Sequence, residues 1–331
     1  MKLAHLVVPD LILPAPLATE LSADLALPTL ATILAKSNRR PLSVYSLESW
    51  LCEMFNVPQG AVAPVTLQAD GMSPEVYYWL RADPVHLNLN RSQVILQTNV
   101  QIDLSAAQRL CASFNDYFAG AQLRFFAPHP TRWYLRLQVA PDLITHSVYA
   151  VEGRDSRGFL PRGEAALQWH GVMNEIQMLL NGHPDIHAMT DRGELAPNSI
   201  WLWGGGCSVK PSQPFDYICS ESELVGSFAH VAHIPFVKSF SLQQNSQHAL
   251  YVWDGLSAAL RHGDYYAWRE ALFKLESKAL KPLLNNLISG EIDCLVLDVF
   301  NDTAAQRFEL TRPMLWKFWR RKQSLAHYAT V

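Results

Sequence analysis

Nine residues, Asn198 to Gly206 (NSIWLWGGG), form the stretch of this chain best suited to holding a ligand. A bulky apolar strand, Ser199 to Trp203, runs into Gly204, Gly205 and Gly206. Without a Cβ, such residues let a backbone close tightly on a bound group. In open α/β sheets ligands collect beyond the carboxyl ends of strands; a tight turn with no ligand is the equally weighted alternative. No GxGxxG or GxxxxGK(S/T) spacing occurs, so neither a dinucleotide site nor a P-loop is indicated. Upstream, His183, Arg192 and Asn198 could bind a phosphate-bearing ligand, although His and Asn could equally tie down the loop before the strand. Asp10 follows the apolar run Leu3 to Val8 and places a carboxylate at a strand exit. Ser46 opens a helical run, where a helix N-cap explains a serine well. His230 and His233 make an HxxH pair, but Pro235 close behind argues against a zinc helix.

These residues need elements to hold them. Leu3 to Val8 reads as a buried strand, and Leu27 to Lys36 as a helix with Pro28 in its first turn. Leu42 to Tyr45 is expected as a second short strand. It leads into Ser46 to Phe55, whose Leu47, Trp50, Leu51 and Met54 share a helical face. This alternation predicts a parallel sheet with helical crossovers. Between about Gln59 and Phe159 the texture changes: Val94 to Leu96, Leu123 to Phe126 and Trp133 to Val139 read as strands, and Ser105 to Phe118 as one amphipathic helix. A helix over Ala165 to Leu180 then precedes the glycine-ended strand. Leu250 to Trp253 and Cys294 to Leu297 are expected strands around a long helix, Tyr265 to Asn286.

Composition narrows the class. With 331 residues, 49% hydrophobic and 17% charged, the chain can bury a large core. A net charge of -3 leaves no global basic field for nucleic acid or anionic membrane, so neither partner is expected. The local exception is Leu315 to Gln323 (LWKFWRRKQ), where Trp316, Phe318 and Trp319 mix with four cations; the expected form is a terminal helix that docks its aromatics and solvates its charges. Cys52, Cys111, Cys207, Cys219 and Cys294 are scattered with no CxxC pair, as in a reduced protein. No segment reaches the length of a membrane span, and the expected compartment is the cytoplasm.

HPDIHAMTDRGELAPNSIWLWGGG, preceded by LPRGEAALQWHGVMNEIQMLL, resembles the pattern of archaeal-type, cofactor-independent phosphoglycerate mutases of the alkaline phosphatase superfamily. It resembles still more a bacterial offshoot labelled a regulatory protein of pathogenicity-factor type. ADPVHLNLN and LRFFAPHPTRWYL follow the same order. The resemblance implies an α/β fold: an alkaline-phosphatase-like core with a mostly parallel sheet flanked by helices, from residues 1–58 with 160–331, plus a small inserted α+β domain over 59–159. Family members use two divalent metals, usually manganese, to activate a serine that takes up and returns a phosphoryl group.

On this pattern Asp10 stands at the first metal carboxylate, with Leu11 where glycine is expected. Ser46 stands at the nucleophile, with Leu47 in place of an acidic residue. Asp298 matches a second carboxylate, but Val299 replaces the adjacent histidine. Ser257 and Arg261 fall at two further ligand positions, and the last histidine falls near Glu309. A guanidinium offers no acceptor, and held about 4 Å from a divalent ion it would cost roughly 8 kcal/mol at an effective dielectric of about 20. The resemblance therefore implies a protein without two-metal catalysis, with Asp10 and Asp298 as vestigial metal residues and Ser46 as a vestigial nucleophile. Its role would be binding or regulation. The implied partners are a phosphorylated small molecule at His183, Arg192, Asn198, Trp203 and Gly204 to Gly206, or another protein, and no cofactor is expected. The alternative is a metal-dependent phosphatase or phosphomutase with altered ligands, using Ser46 and manganese.

Overall fold

The computed structural model describes residues 1–13, 15–22, 25–243 and 246–328, without the side chains of 15 and 16. In chain order its strands are β1 (Leu3–Pro9), β2 (Asn38–Pro41), β3 (Tyr78–Asn90), β4 (Gln93–Gln97), β5 (Leu123–His129), β6 (Arg132–Leu137), β7 (Ser199–Gly206), β8 (Tyr217–Ser220), β9 (Phe236–Val237), β10 (His248–Val252), β11 (Cys294–Phe300) and β12 (Ala305–Thr311). The chain divides into two compact units, Met1–Asn56 with Pro211–Val331, and Val57–Lys210.

The first unit is a seven-stranded sheet in the order β2-β12-β11-β1-β10-β8-β9. Strands β11, β1, β10, β8 and β9 run parallel, and β12 and β2 add antiparallel. The α/β class with a mostly parallel sheet flanked by helices is thus present. Because side chains alternate along a strand, Leu6 and Val8 join Leu295, Leu297 and Val299 in one apolar layer. Helices Pro28–Lys36, Tyr265–Leu275 and Lys281–Ser289 cover that layer. The opposite face carries His5 and Asp298 among Trp50, Phe55, Phe215 and His248, with ring centroids 4.6 to 6.2 Å apart along the aromatic contacts. The expected long helix is interrupted by a π-helical turn, Glu276–Leu280. The first residue of that turn caps a different helix. Leu27 provides no side-chain cap for Pro28–Lys36, and the Glu276 carboxylate accepts from Thr29 N at 2.6 Å and Leu30 N at 3.0 Å instead.

The second strand differs from expectation. It lies at Asn38–Pro41, with 42–45 outside it, as a fully exposed edge antiparallel to β12. Polar and proline residues are tolerated there because an edge strand needs only one neighbour.

The second unit is an antiparallel sheet in the order β4-β3-β6-β5, with β7 paired to β3. Helices Leu104–Tyr117 and Ala166–Asn181 belong to it. Its span differs from the expected 59–159: both the second helix and the glycine-ended strand fall in this unit, since β7 pairs with β3 from Trp79↔Gly206 to Val85↔Ser199.

The terminal segment also departs from expectation. A 3-10 turn, Arg312–Trp316, is followed by non-helical residues up to Ser324 and a short helix Leu325–Tyr328. Trp316, Phe318 and Trp319 are exposed, not docked.

Candidate functional site

In the first unit, helix Leu47–Met54 begins at Ser46, whose hydroxyl oxygen accepts from Ser49 N at 3.2 Å. Ser46 is thus an N-cap, and its own hydroxyl donates to Ser49 Oγ at 3.2 Å. One turn further, Trp50 Nε1 donates to Asp298 Oδ2 at 2.7 Å. The helix therefore brings Ser46 to within a turn, about 6 Å of rise, of the residue that grips Asp298.

Asp298 is fully buried on β11. Arg307, its cross-strand partner on β12, donates from Nε to Oδ1 and from Nη2 to Oδ2, both at 2.6 Å. His5 Nε2 adds a bond to Oδ2 at 2.8 Å. Burial pushes this carboxyl up, but the Arg307 and His5 bonds outweigh it and hold it down at about 2. A fork of two parallel N–H bonds matches carboxylate geometry, so the carboxylate that the resemblance gives to a metal is held by a guanidinium. Among the described residues no three His, Cys, Asp or Glu side chains gather where a metal ion could be held, and His230 with His233 gains no third ligand there. The donor set does not fit a manganese pair.

Asp10 leaves β1 with φ of 57°, its N–H bonded to Phe300 O at 2.8 Å and its carbonyl accepting from Trp268 Nε1 at 3.2 Å. Aspartate tolerates this left-handed backbone better than most residues. Leu11, in the place of the expected glycine, is buried in the core. Other polar groups at this end of the parallel strands had no signal in the sequence. Asp254 follows β10; burial pushes its carboxyl up, partly offset by a bond from Ser222. Ser222 Oγ makes no cap bond to its own helix, Glu223–Val231. Trp253 Nε1, next in the chain to Asp254, is buried and has no hydrogen-bond partner among the described residues. Asn301 is a turn former: its amide donates to Ile12 O, and its Oδ1 accepts from Thr303 and Ala304.

The remaining residues expected in a ligand site belong to the second unit, whereas Asp10, Ser46 and Asp298 belong to the first. His183 caps helix Pro184–Asp191, accepting from Asp185 N at 3.2 Å, with Ser113 Oγ 3.2 Å from its other ring nitrogen. Asn198 acts as a strand extension, accepting from Leu87 N at 2.7 Å and donating to Leu87 O at 3.0 Å. Trp203 Nε1 donates to Asp83 Oδ2 at 2.7 Å. That carboxylate takes a bidentate grip from buried Arg81, at 2.8 and 2.9 Å, and the guanidinium also lies 5.1 Å from the Trp203 ring centroid. The ADPV segment marks this cluster in sequence, but a charged pair in a strand gives no periodic signal.

The glycines are inside β7, not beyond it. Gly204 has φ of 71°. A Cβ on Gly205 would collide with the Tyr78 hydroxyl, and one on Gly206 would lie 2.5 Å from Ala61 Cβ. Their close approach is to neighbouring protein, which corrects the expectation that they free the backbone past a strand end.

Arg192 borders a cavity. It measures about 270 Å³ and is lined in part by Gln101, Asp103, Arg109, Asp185 and Glu194. Arg192 pairs with Glu194 at 2.7 Å and Arg109 with Asp185 at 2.8 Å, and both guanidiniums are more than half exposed.

No protein-family model matches the sequence. A protein described as a probable 2,3-bisphosphoglycerate-independent phosphoglycerate mutase from Geobacter sulfurreducens is 39% identical over 56 residues, 17% of this chain. The match spans only 14% of that relative's length. Among solved structures, the cofactor-independent phosphoglycerate mutase of Thermoplasma acidophilum aligns with 98% of this chain and 94% of its own, at 12% identity and a TM-score of 0.49. A protein of Pyrococcus horikoshii aligns with 94% of this chain and 87% of its own, at 10% identity and a TM-score of 0.54; that likeness is one of fold.

Proposed function

We propose that this chain is a phosphoglycerate-mutase-like protein that acts by binding, in a regulatory role, rather than by two-metal phosphoryl transfer. The observation that carries this reading is the Asp298 carboxylate, which Arg307 grips through both oxygens and to which His5 and Trp50 also bond. Ser46 supports it, since an alcohol held as a helix cap needs a neighbouring base or metal to become a nucleophile.

The ligand in this reading is a phosphorylated small molecule. The strand ends of the first unit present the carboxylates of Asp10 and Asp254 to a phosphate. The cavity beside Arg109 and Arg192 is the site in this reading: Asp103, Asp185 and Glu194 also line it, but two guanidiniums border it and their carboxylate partners are weak competitors. Solvent-exposed ion pairs of this kind contribute at most about 1 kcal/mol each, so a phosphoryl group can exchange with Glu194 or Asp185 at small cost.

Manganese titration, followed by heat release and by hydrolysis of a generic phosphate ester, tests the first part. Neither stoichiometric binding nor turnover is expected; turnover that vanishes in Ser46→Ala would overturn the reading. Titration with 3-phosphoglycerate tests the second. Arg192→Ala should weaken binding about tenfold or more, the effect of losing a charge-assisted bond of about 1.5–3 kcal/mol. Binding unchanged in that variant would remove the cavity from consideration.

A further inference from the structure

From Leu310 to Val331 the chain contains no Asp or Glu but five Lys and Arg residues, in a protein whose net charge is -3. Within this basic segment Trp316 is 81% exposed, Phe318 86% and Trp319 65%. Three residues this large and this exposed within four positions form a patch of the kind that marks an interaction surface.

The segment is held, not frayed. Lys36 Nζ donates to the carbonyls of Lys317 and Arg320, at 2.5 and 3.0 Å. Arg320 Nη1 returns bonds to Ser37 O at 2.5 Å and Lys36 O at 3.3 Å. These last carbonyls end helix Pro28–Lys36, where a cation is favoured by the helix dipole. Phe318 N–H closes a tight turn on Trp316 O at 2.8 Å, and Arg320 N–H closes another on Lys317 O at 3.1 Å. A double clasp thus fixes the backbone of 316–320 to the body of the first unit while its rings stand in solvent. Arg321 and Lys322 follow directly and are exposed, and Lys317 Nζ reaches Asn38, next to exposed Arg39.

We propose that this clasped turn is a docking tip for an anionic lipid surface. Tryptophan prefers the interface between headgroups and acyl chains, and flanking Lys and Arg supply attraction to acidic lipids. Trp316, Phe318 and Trp319 enter that interface while Arg39, Lys317, Arg321 and Lys322 stay at headgroup level. A second copy of the chain is a poor occupant, because a two-fold contact would set these cations against their own copies. The expectation that no membrane partner exists rested on the net charge and, for this local patch, on docked aromatics; their exposure removes the second basis.

The test uses the full chain with sucrose-loaded vesicles of phosphatidylcholine, with or without about 30% phosphatidylserine, separated by sedimentation. Wild-type protein should pellet with the acidic vesicles and bind neutral ones at least tenfold more weakly. Arg321→Glu with Lys322→Glu should lose at least about 25-fold, since each cation at such a surface is worth about fivefold. Replacing Trp316, Phe318 and Trp319 by Ser should lose at least tenfold with an unchanged circular-dichroism melt. Failure to pellet, equal binding to neutral vesicles, retention of binding by the Ser variant, or tighter capture by RNA or by self-association would each overturn the proposal.

Discussion

Replacing Arg307 by Leu removes the cation that neutralises Asp298 and leaves the carboxylate buried. The two N···O contacts are 2.6 Å, which puts the charge centres about 4 Å apart. At an effective dielectric of about 20 their attraction is about 4 kcal/mol. Burying the guanidinium costs part of this, but Arg307 retains 15% side-chain exposure whereas Asp298 has none, so most of the unrecovered desolvation falls on the carboxylate left behind. His5 and Trp50 still donate to it and limit the loss. The expected destabilisation is about 3–5 kcal/mol, the usual result of breaking a buried pair from one side. Urea denaturation of the wild type, Arg307→Leu, Asp298→Asn and the double variant measures it. The double variant should be more stable than the sum of the single losses predicts, by about 2 kcal/mol or more. A cost under about 1 kcal/mol for Arg307→Leu, or strict additivity, would refute the assignment of Arg307 as the charge partner.

The same carboxyl is held at about 2 against an ordinary value of 3.8, so its contribution, about 2 kcal/mol, is complete above the ordinary value and is lost as pH falls towards 2. Acid titration of stability should show this loss in the wild type and not in Asp298→Asn. Ser46→Ala should cost about 1 kcal/mol in a thermal melt, the worth of an N-cap, and a change near zero would contradict the cap. Gly206→Val should destabilise by about 1–3 kcal/mol through overpacking against Ala61, measured by denaturation; a neutral result would mean the glycine is not there for packing.

Elements with one apolar face or an uninterrupted apolar run were readable in the sequence. Leu3–Pro9, Cys294–Phe300 and Ala166–Asn181 lie where periodicity puts them, within a few residues. Asn38–Pro41 was not readable, since an exposed edge strand needs no apolar residue. Tyr78–Asn90 was hidden by buried Arg81 and Asp83, whose mutual bonds permit burial that neither residue type suggests alone. The glycine run was legible as a close approach, but composition does not say whether the approaching group is a ligand or Tyr78. Trp316, Phe318 and Trp319 were read as buried from hydrophobicity, and the clasp that turns them outward uses main-chain carbonyls, to which composition is blind. Ser46 as a cap was legible; Arg307 as the partner of Asp298 depends on strand register, which nothing in the sequence announces.

The position of β1 bears on how the chain is made. Strand β1 lies between β10 and β11, whose residues begin far downstream at His248 and Cys294. At about 5–20 residues per second, β1 waits on the order of 12–50 seconds for its earlier neighbour. Helix Pro28–Lys36 waits as well, because its capping carboxylate belongs to Glu276. Chains arrested near residue 240 should therefore leave Leu3–Pro9 open to protease, and protection at that length would contradict the dependence. Until His248–Val252 has been made, a central apolar strand of the sheet has both hydrogen-bonding edges open, which makes the nascent chain a natural client for a chaperone that binds extended apolar segments.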